Sequence, residues 1–462
     1  MLSQQILQCI DASRQRYVEE LLHLLRIPSV STYSQHAPDV RAAADWVAGQ
    51  LRRLSFQTRV CETAGHPVVL AERTDVPGMP TLLVYGHYDV QPPEPLDEWK
   101  SPPFSPVIRD GYVYARGATD DKGQFFTYLK AIEAILSIEK KLPINVKVLI
   151  EGEEEITSPS LGPFLAEHKQ DLRADFIAIS DGSQYKFGIP AISYGLRGLC
   201  YLQMELQGPR FDLHSGSFGG LVENPILVLA NVLARLKNED GTIAIPGFYE
   251  DVLPLEEWER REMASLNFDE EALKEYLGVA SLPGEPGYTP MERKTARPTL
   301  DANGIWGGFA GEGSKTIIPA RAGAKVSMRL VPNQDPDKIH KAFEKYVRSL
   351  VPQGMHLNVR NLNGAKPVLA ARDRKPVLAA ARAIEAGFGK RPVFIREGGS
   401  IPIVNLFQET LEVQDILLLG WGCPDDGAHS PNERFFLDDF HSGIRSAAAL
   451  LYELAALQAP GA

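Results

Sequence analysis

The chain has 462 residues, of which 44% are hydrophobic and 23% charged, and its formal net charge is -11. This length exceeds one ordinary hydrophobic core and favours two domains, and the composition is typical of a soluble globular protein. The acidic balance and the absence of a lysine- and arginine-rich block argue against a nucleic-acid partner. Because no apolar run has the length of a membrane span, we also expect no membrane association.

The N-terminal segment differs from a secretion signal, because charges are spread through it and its apolar residues recur at helical spacing. The pattern predicts a helix with five residues on or near one face. They are Ile6, Ile10, Tyr17, Leu21 and Leu24. The four cysteines lie far apart and form no CxxC pair, which indicates reduced thiols and a cytoplasmic protein.

Four short apolar runs with β-branched residues predict strands. They are TLLVY (81–85), INVKVLI (144–150), DFIAIS (175–180) and DILLLG (415–420). Helical patterns such as DKGQFFTYLKAIEAILS lie between them. Strands that are buried on both faces and alternate with helices indicate an α/β fold with a mostly parallel sheet and helices on both faces.

A different order of elements runs from about residue 197 to 370. It reads strand, helix, strand, strand, helix, strand, with IWGGFAG (305–311) as the second strand, and this order is ferredoxin-like. Asp335 and Pro336 predict the start of the second helix as its N-cap and first residue. An acidic, proline-containing insertion lies at about 240–302.

The sequence therefore predicts an α/β domain that is interrupted by a smaller inserted α+β domain. The α/β domain comprises residues 1–196 and 371–462, and the inserted ferredoxin-like domain comprises residues 197–370. Hinges are expected near 195–198 and 368–374, with closure of the two domains on substrate.

Histidines and carboxylates cluster after the predicted strands of the α/β domain and before one of its helices. The segments are GHYD (86–89), RGATDD (116–121), EGEEE (151–155), DGS (181–183) and DDGAHS (425–430). In open α/β sheets, ligands bind beyond the carboxyl ends of the strands. Two imidazoles and several carboxylates suit zinc, with cobalt or manganese as alternatives.

Charge counting favours two metal ions. The candidate ligands are His87, Asp120, Glu155, Asp181 and His429. Together they carry a charge of about -3, against about +4 for two divalent cations, and a bridging hydroxide balances the site. Asp89 lies two residues beyond His87 in an extended segment and can fix the imidazole tautomer. A lone His87 would more often be a hydrogen-bonded core histidine, but its neighbours favour metal ligation.

The chain resembles the M20 family of dinuclear zinc peptidases, on its carnosinase-like dipeptidase branch, because seven motifs occur in family order. They are GHYDVQPP, RGATDDKGQ, EGEEEITSPS, SDGS, DLHSG, REGGSIP and DDGAHSPNE. The resemblance extends from about residue 15 to 450. It implies that His87 and Asp181 bind one metal ion, that Glu155 and His429 bind the other, and that Asp120 bridges them.

The resemblance also implies how the reaction proceeds. Glu154 is the general base that accepts a proton from a metal-activated water, and Asp89 supports catalysis. A cis peptide joins Asp120 to Asp121, and Asp121 itself is expected to support the ligands or to cap the following helix. Glu151 and Glu153 are expected to have structural roles.

Further residues resemble the family's substrate-binding groups. His214 resembles a histidine that reaches into the site of a partner subunit, which implies a homodimer through the inserted lid domain and a role in both catalysis and substrate binding. Arg329, Thr316 and Ser400 resemble residues that hold the substrate's terminal carboxylate.

The leading function is a metallo-dipeptidase that cleaves dipeptides or short peptides with a free C-terminal carboxylate. The same site would serve an N-acyl-amino-acid amidohydrolase, such as an aminoacylase, deacetylase or desuccinylase. A non-catalytic scaffold on the same fold would have lost a metal ligand or the base, and the sequence retains all of them.

Overall fold

The computed structural model describes residues 2–399 and 401–457, which form two compact units. The first unit comprises Met1–Tyr194, Ala370–Ile395 and Leu406–Ala462, and the second comprises Gly195–Leu369 and Arg396–Asn405. Residues 396–405 thus group with the second unit, although they lie within the range 371–462 that the sequence assigns to the α/β domain. The reason is local: Arg396 forms a buried ion pair with Glu259, and the Arg197 guanidinium donates to the Gly398 carbonyl at 2.9 Å.

Helices and strands make up most of the described chain. The helices are α1 (Gln4–Ala12), α2 (Arg14–Leu25), α3 (Ala37–Arg53), α4 (Lys122–Glu139), α5 (Leu161–Glu167), α6 (Ser215–Phe218), α7 (Pro225–Ala234), α8 (Glu257–Ser265), α9 (Glu270–Leu277), α10 (Pro290–Thr295), α11 (Pro336–Leu350), α12 (Lys375–Phe388), α13 (Pro402–Leu411) and α14 (Leu437–Ala455). The strands are β1 (Gln57–Cys61), β2 (Val68–Arg73), β3 (Thr81–His87), β4 (Val107–Arg109), β5 (Tyr112–Tyr114), β6 (Asn145–Glu151), β7 (Phe176–Ser183), β8 (Ala191–Leu196), β9 (Gly198–Gln207), β10 (Leu213–His214), β11 (Thr299–Gly307), β12 (Ile317–Ile318), β13 (Arg321–Leu330), β14 (His356–Ala365), β15 (Val368–Leu369), β16 (Val393–Glu397), β17 (Ile416–Gly422) and β18 (Arg434–Phe436).

The N-terminal segment forms two helices, α1 and α2, where the sequence predicts one. The break lies at Ser13, whose backbone (φ -96, ψ 2) leaves helical geometry while its N–H still bonds to the carbonyls of Cys9 and Ile10. All five residues predicted for the apolar face are buried. The apolar pattern therefore identified the buried surface, although a break at Ser13 divides it between two helices.

The sheet of the first unit is parallel at its centre. Its strands follow the order β1-β2-β6-β3-β7-β17-β8. Strand β3 pairs in parallel with β6 and β7, and β17 pairs in parallel with β7. The outer pairs β1–β2, β2–β6 and β8–β17 are antiparallel. Every residue of β6 and β17 is buried, as expected where helices cover both faces.

Helix α4 lies deep in the first unit. It packs against α14, α2 and β3, and its residues from Lys122 to Ala131 are all buried. Its first residue directly follows Asp121, so the core fixes the position of the RGATDD segment. Within the described residues, no helix combines the length and hydropathy that crossing a membrane requires.

The second unit contains an antiparallel sheet in the order β11-β13-β9-β14. The order of elements in the chain, β9, α7, β11, β13, α11, β14, follows the βαββαβ pattern that the sequence predicts. Helix α11 begins as predicted, because the Asp335 carboxylate accepts hydrogen bonds from the N–H groups of Asp337 and Lys338 at 2.8 and 3.0 Å.

Two predictions for the second unit were incomplete. Strand β11 spans Thr299–Gly307 rather than 305–311, because its pairing with β13 begins at Thr299 opposite Arg329 and ends at Gly307, before Gly308 turns to a φ of +70°. The acidic insertion at about 240–302 contains helices α8, α9 and α10, for which the sequence analysis proposed no elements.

Candidate active site

Two groups of potential metal ligands share one aspartate. His87, Asp120 and Asp181 form the first group, and Asp120, Glu155 and His429 form the second. Within each group the ligand atoms lie within 4.8 Å of one another. The structure thus brings together the five residues that the sequence analysis named, in the two groups expected from the resemblance.

His87 ends β3 and is fully buried. Its Nε2 atom lies 3.1 Å from Oδ1 of Asp120 and 3.8 Å from Oδ2 of Asp181. The geometry forms no hydrogen bond, so this buried nitrogen has no such partner among the described residues. Its Nδ1 atom lies 3.1 Å from the Asp89 carbonyl oxygen. An imidazole that is held through Nδ1 and offers Nε2 to a carboxylate cluster fits a metal ligand.

Asp89 acts on the neighbouring turn as well as on His87. Its buried carboxylate accepts hydrogen bonds from the N–H groups of Glu154 and Glu155 at 3.3 and 3.1 Å. Its Oδ1 atom lies 3.4 Å from Nδ1 of His87, farther than its own carbonyl oxygen. Asp89 therefore fixes the 3-10 turn Glu154–Ile156, a contact that the sequence analysis did not anticipate.

The second group of ligands is linked by short contacts. His429 has a left-handed backbone (φ +63°), and its Nε2 atom lies 2.8 Å from Oδ2 of Asp120 and 3.2 Å from Oε2 of Glu155. The same Oε2 atom accepts a hydrogen bond from Nε2 of Gln91 at 2.7 Å. Glu155 is thereby held between a candidate ligand and an amide donor.

The predicted cis peptide between Asp120 and Asp121 is confirmed. Asp121 precedes α4, but its side chain does not cap the helix. Instead, its Oδ2 atom accepts a hydrogen bond from the His87 N–H at 3.3 Å. Asp121 thus supports a candidate ligand, which is one of the two roles expected from the sequence.

The pKa values of the cluster show an excess of buried negative charge. Burial, followed by the charges of Glu155 and Asp120, raises the pKa of Glu154 to about 7 against the opposing effect of His87. Burial and the neighbouring Asp120 raise the pKa of Asp181 well above its usual range. Hydrogen bonds to Asp120 and Glu155 raise the pKa of His429 to about 10. Such a set of groups favours bound cations.

Glu151 and Glu153 hold the backbone around the EGEEE segment. Oε1 of Glu151 accepts hydrogen bonds from the Tyr85 hydroxyl at 2.7 Å and from the Ser158 hydroxyl at 3.0 Å. The Glu153 carboxylate accepts from the N–H groups of His66 and Ser160 at 2.8 and 3.0 Å. Burial raises the pKa of Glu151 to about 8. These contacts are structural and differ from those of Glu154 and Glu155.

No role was predicted for Gln91, Gln124 or Glu433, although all three lie in the quoted motifs. Nε2 of Gln124 donates to the carbonyls of Thr119 and Gly182 at 2.9 and 3.1 Å, and its Oε1 accepts from the Trp421 N–H at 2.6 Å. It therefore joins two of the segments that carry ligands, RGATDD and DGS, to strand β17, which leads to a third. Gln124 is a polar residue in the first turn of a helix whose sequence is otherwise mostly apolar, and this could have indicated a role for it.

Three of the remaining predicted site residues, His214, Thr316 and Arg329, belong to the second unit. His214 ends β10 opposite Ile317 of β12, and the Ser215 N–H donates to the Thr316 carbonyl at 3.1 Å, so His214 and Thr316 lie on adjacent backbone segments. Arg329 is half-buried in β13, and burial lowers its pKa. Ser400 lies outside the described residues.

The family model of peptidase family M20/M25/M40 matches residues 83–453. The Cys-Gly metallodipeptidase of Schizosaccharomyces pombe is 33% identical to the chain over 97% of this chain and 98% of that protein. The crystal structure of human carnosine dipeptidase 1 matches with a TM-score of 0.83 and 32% identity over 98% of each chain. The M20 family metallo-carboxypeptidase Sso-CP2 of Sulfolobus solfataricus matches with a TM-score of 0.84 and 34% identity over 95% of this chain and 99% of that one. The chain belongs to peptidase family M20/M25/M40.

Proposed function

We propose that this chain is a metal-dependent hydrolase that cleaves the amide bond of dipeptides or short peptides with a free C-terminal carboxylate. The observation that carries this proposal is the pair of ligand groups that share Asp120, next to the turn that holds Glu154. The activities named for the relatives, on Cys-Gly in the yeast enzyme and on carnosine in the human one, support a dipeptide substrate.

The residues fit two divalent cations, with zinc as the first choice and manganese or cobalt as alternatives. His87 and Asp181 would hold one ion, Glu155 and His429 the other, and Asp120 both. The Nε2 atom of His87, which has no hydrogen-bond partner in the described part of the chain, and the raised pKa of Asp181 support this assignment. When bound, the cations would polarise the amide carbonyl and lower the pKa of a water molecule.

Glu154 would carry the proton of the reaction. It accepts the proton of the attacking water and returns it to the leaving amine. Burial raises the pKa of this carboxylate to about 7 among the protein groups alone, and nearby cations would lower it. Asp89 fixes the backbone of Glu154 through the 3.3 Å hydrogen bond, so the base has a defined position.

Substrate binding is assigned to four residues that the resemblance singles out. Arg329, Thr316 and Ser400 would bind the terminal carboxylate, for which the planar guanidinium of arginine is suited. His214 would donate a hydrogen bond to the oxyanion of the reaction in the partner subunit, and the second unit would form the homodimer. In favour of this, the His214 side chain is exposed, as is that of Thr316.

We further propose a reducing compartment such as the cytoplasm for this enzyme. All four cysteines lie in the described part of the chain, and none forms a disulfide. Cys200 and Cys423 are buried, where burial raises the pKa of the thiol and keeps it unreactive.

A substrate panel tests the proposed activity. Purified enzyme with added zinc, manganese or cobalt is assayed on Cys-Gly and β-Ala-His, on the same dipeptides with C-terminal amides, and on N-acetyl and N-succinyl amino acids. We expect hydrolysis of the free dipeptides and a large loss with the amides, because the amides lack the charge that pairs with arginine. Hydrolysis of acylated amino acids alone would instead identify an N-acyl-amino-acid amidohydrolase.

A further inference from the structure

The carboxylate of Glu433 lies at the centre of the loop that leads to Asp120. Glu433 is fully buried, and its Oε2 atom accepts hydrogen bonds from the Arg116 guanidinium at 2.8 Å and the Gly117 N–H at 2.9 Å. Its Oε1 atom accepts from the N–H groups of Thr119 and Asp120 at 2.9 and 3.2 Å. Both oxygens therefore have two donors, so this buried anion is fully satisfied.

The backbone of Glu433 is fixed from both sides. The following strand β18 pairs with β5, and the Ala115 N–H donates to the Glu433 carbonyl at 3.1 Å. On the preceding side, the Asn432 amide accepts from the Lys100 N–H and donates to the Glu98 carbonyl, each at 2.8 Å. Because contacts on both sides hold the backbone of Glu433, its carboxylate presents acceptors at fixed positions to the loop that wraps around it.

The contacts connect this loop to both groups of candidate ligands. Asp120 belongs to both groups, and its N–H is one of the four donors to Glu433. His429 lies four positions before Glu433, so one short segment supplies a candidate ligand and the residue whose carboxylate holds another. Oδ2 of Asp120 and Nε2 of His429 lie 2.8 Å apart, which leaves little freedom for either residue to shift alone.

We propose that Glu433 is a positioning residue for the metal centre, which orients the shared aspartate Asp120 through its backbone N–H and the N–H groups before it. This inference rests on the proposed role of Asp120 as a metal ligand. Because Arg116 and three backbone N–H groups occupy both oxygens of its carboxylate, Glu433 is not assigned a ligand role. Loss of its carboxylate leaves three backbone donors and Arg116 without their acceptor, and the loop then no longer holds Asp120 at the position that both groups require.

The test compares Glu433→Gln with Glu292→Gln. Glu292 is a matched control in the second unit: its carboxylate is also buried and accepts from an arginine, Arg260 Nε at 2.7 Å, and from a backbone N–H, that of Thr289 at 2.7 Å. Metal-depleted wild-type and variant proteins are titrated with Co²⁺, and the visible absorption spectrum, the dissociation constants and the melting temperature are measured. Zinc-loaded enzymes are assayed on a dipeptide for kcat and KM.

We expect both variants to melt at a lower temperature, because each loses a buried acceptor. Only Glu433→Gln should raise the Co²⁺ dissociation constants, by about 10- to 100-fold, and change the Co²⁺ spectrum. Its kcat should fall more than its KM changes, because the substrate-binding residues are elsewhere. If Glu433→Gln yields no folded protein, Glu433→Asp keeps the charge but withdraws the carboxylate from the loop, and the same changes are expected at smaller size.

Two outcomes overturn the proposal and can be told apart. Wild-type protein that binds Co²⁺, with a folded Glu433 variant of unchanged spectrum and affinity, refutes the positioning role and leaves the metal centre intact. Wild-type protein that binds no Co²⁺ refutes the proposed metal centre and this inference together.

Discussion

Nε2 of Gln91 donates a hydrogen bond to Oε2 of Glu155 at 2.7 Å, and it lies 3.3 Å from the carbonyl oxygen of the same residue. The amide therefore fixes both the side chain and the backbone of a candidate metal ligand. Gln91→Met keeps the size of the side chain and removes the donor. We expect an affinity loss of about 10-fold for one metal ion, measured by chelator competition, with a stability change within about 1 kcal/mol.

Gln203→Met is the control for this variant. Nε2 of Gln203 donates to Oε1 of Glu205 at 2.7 Å in the second unit, a similar half-buried amide–carboxylate contact without a candidate ligand. It should leave metal affinity unchanged. Equal metal affinity in both variants would show that the Gln91 contact does not orient Glu155.

The two ligand groups share Asp120 but not Asp181. Asp120→Asn should therefore reduce metal content more than Asp181→Asn, because it weakens both groups while the other change leaves Asp120, Glu155 and His429 intact. Metal analysis after dialysis against a limiting zinc concentration measures the number of ions per chain. Two ions per chain in Asp120→Asn would argue against a shared ligand.

Glu154 and Glu155 are adjacent, but their substitution should have different effects on metal binding and turnover. Glu154→Gln should retain metal and lose about 10²- to 10⁴-fold in kcat, because it removes the proton acceptor and no ligand. Glu155→Gln should lose metal as well as turnover. Metal analysis beside steady-state kinetics separates the two results, and an active Glu154→Gln enzyme would exclude Glu154 as the base.

The raised pKa of Glu151 should make the free energy of unfolding depend on pH. Burial raises its pKa from an ordinary 4.5 to about 8, so the folded chain keeps a proton that the unfolded chain releases. The free energy of unfolding should therefore fall as the pH rises from about 4.5 to 8, by a few kcal/mol in order of magnitude. Glu151→Gln keeps an acceptor for Tyr85 and Ser158 but cannot ionise, and its unfolding free energy should fall less.

Urea unfolding at pH 6 and pH 8 with a chelator present measures this difference. Glu292→Gln serves as the control: burial alone would raise the pKa of Glu292, but Arg260 outweighs it and holds the pKa below the usual range. The stabilisation from the Glu292 carboxylate is lost only at acidic pH. The unfolding free energy of Glu292→Gln should therefore change between pH 6 and pH 8 by as much as that of the wild type. An equal slope for wild type and Glu151→Gln would contradict the prediction.

His214 can be tested across subunits. If it acts in the partner's site, a mixed dimer of His214→Ala and Glu154→Gln chains contains one complete site, although each variant alone is nearly inactive. Co-expression with two affinity tags isolates this dimer, and we expect about half of the wild-type activity. A mixed dimer without activity would place the action of His214 in its own subunit.

The candidate ligands could be named from the sequence because they follow a simple rule. His87 ends β3, Asp181 lies two residues before the end of β7, and Glu155 lies four residues after the end of β6. The carboxyl ends of such parallel strands meet at one edge of the sheet. Each of these strands is recognisable in the sequence as an apolar run, so the residues at its carboxyl end can be found without the structure.

The supporting residues could not be named in this way. Glu433 bonds to Asp120, which lies 313 positions earlier in the chain, and Gln91 bonds to Glu155 over 64 positions. Their partners are largely backbone groups, which every residue type carries, so the amino-acid sequence does not show which residues will form these contacts. By contrast, α10 did carry a signal, since Thr289 and Glu292 form a capping box with a proline at the first helical position.

The distribution of the metal centre along the chain has a consequence for synthesis. Its candidate ligands extend from His87 to His429, with Glu433 as the anchor of Asp120, and the second unit is translated between them. Four of the five candidate ligands, from His87 to Asp181, precede the second unit in the chain, and only His429 follows it. A nascent chain that has not yet reached His429 lacks one residue of the second ligand group, so the proposed two-metal centre can be completed only after the second unit has been synthesised.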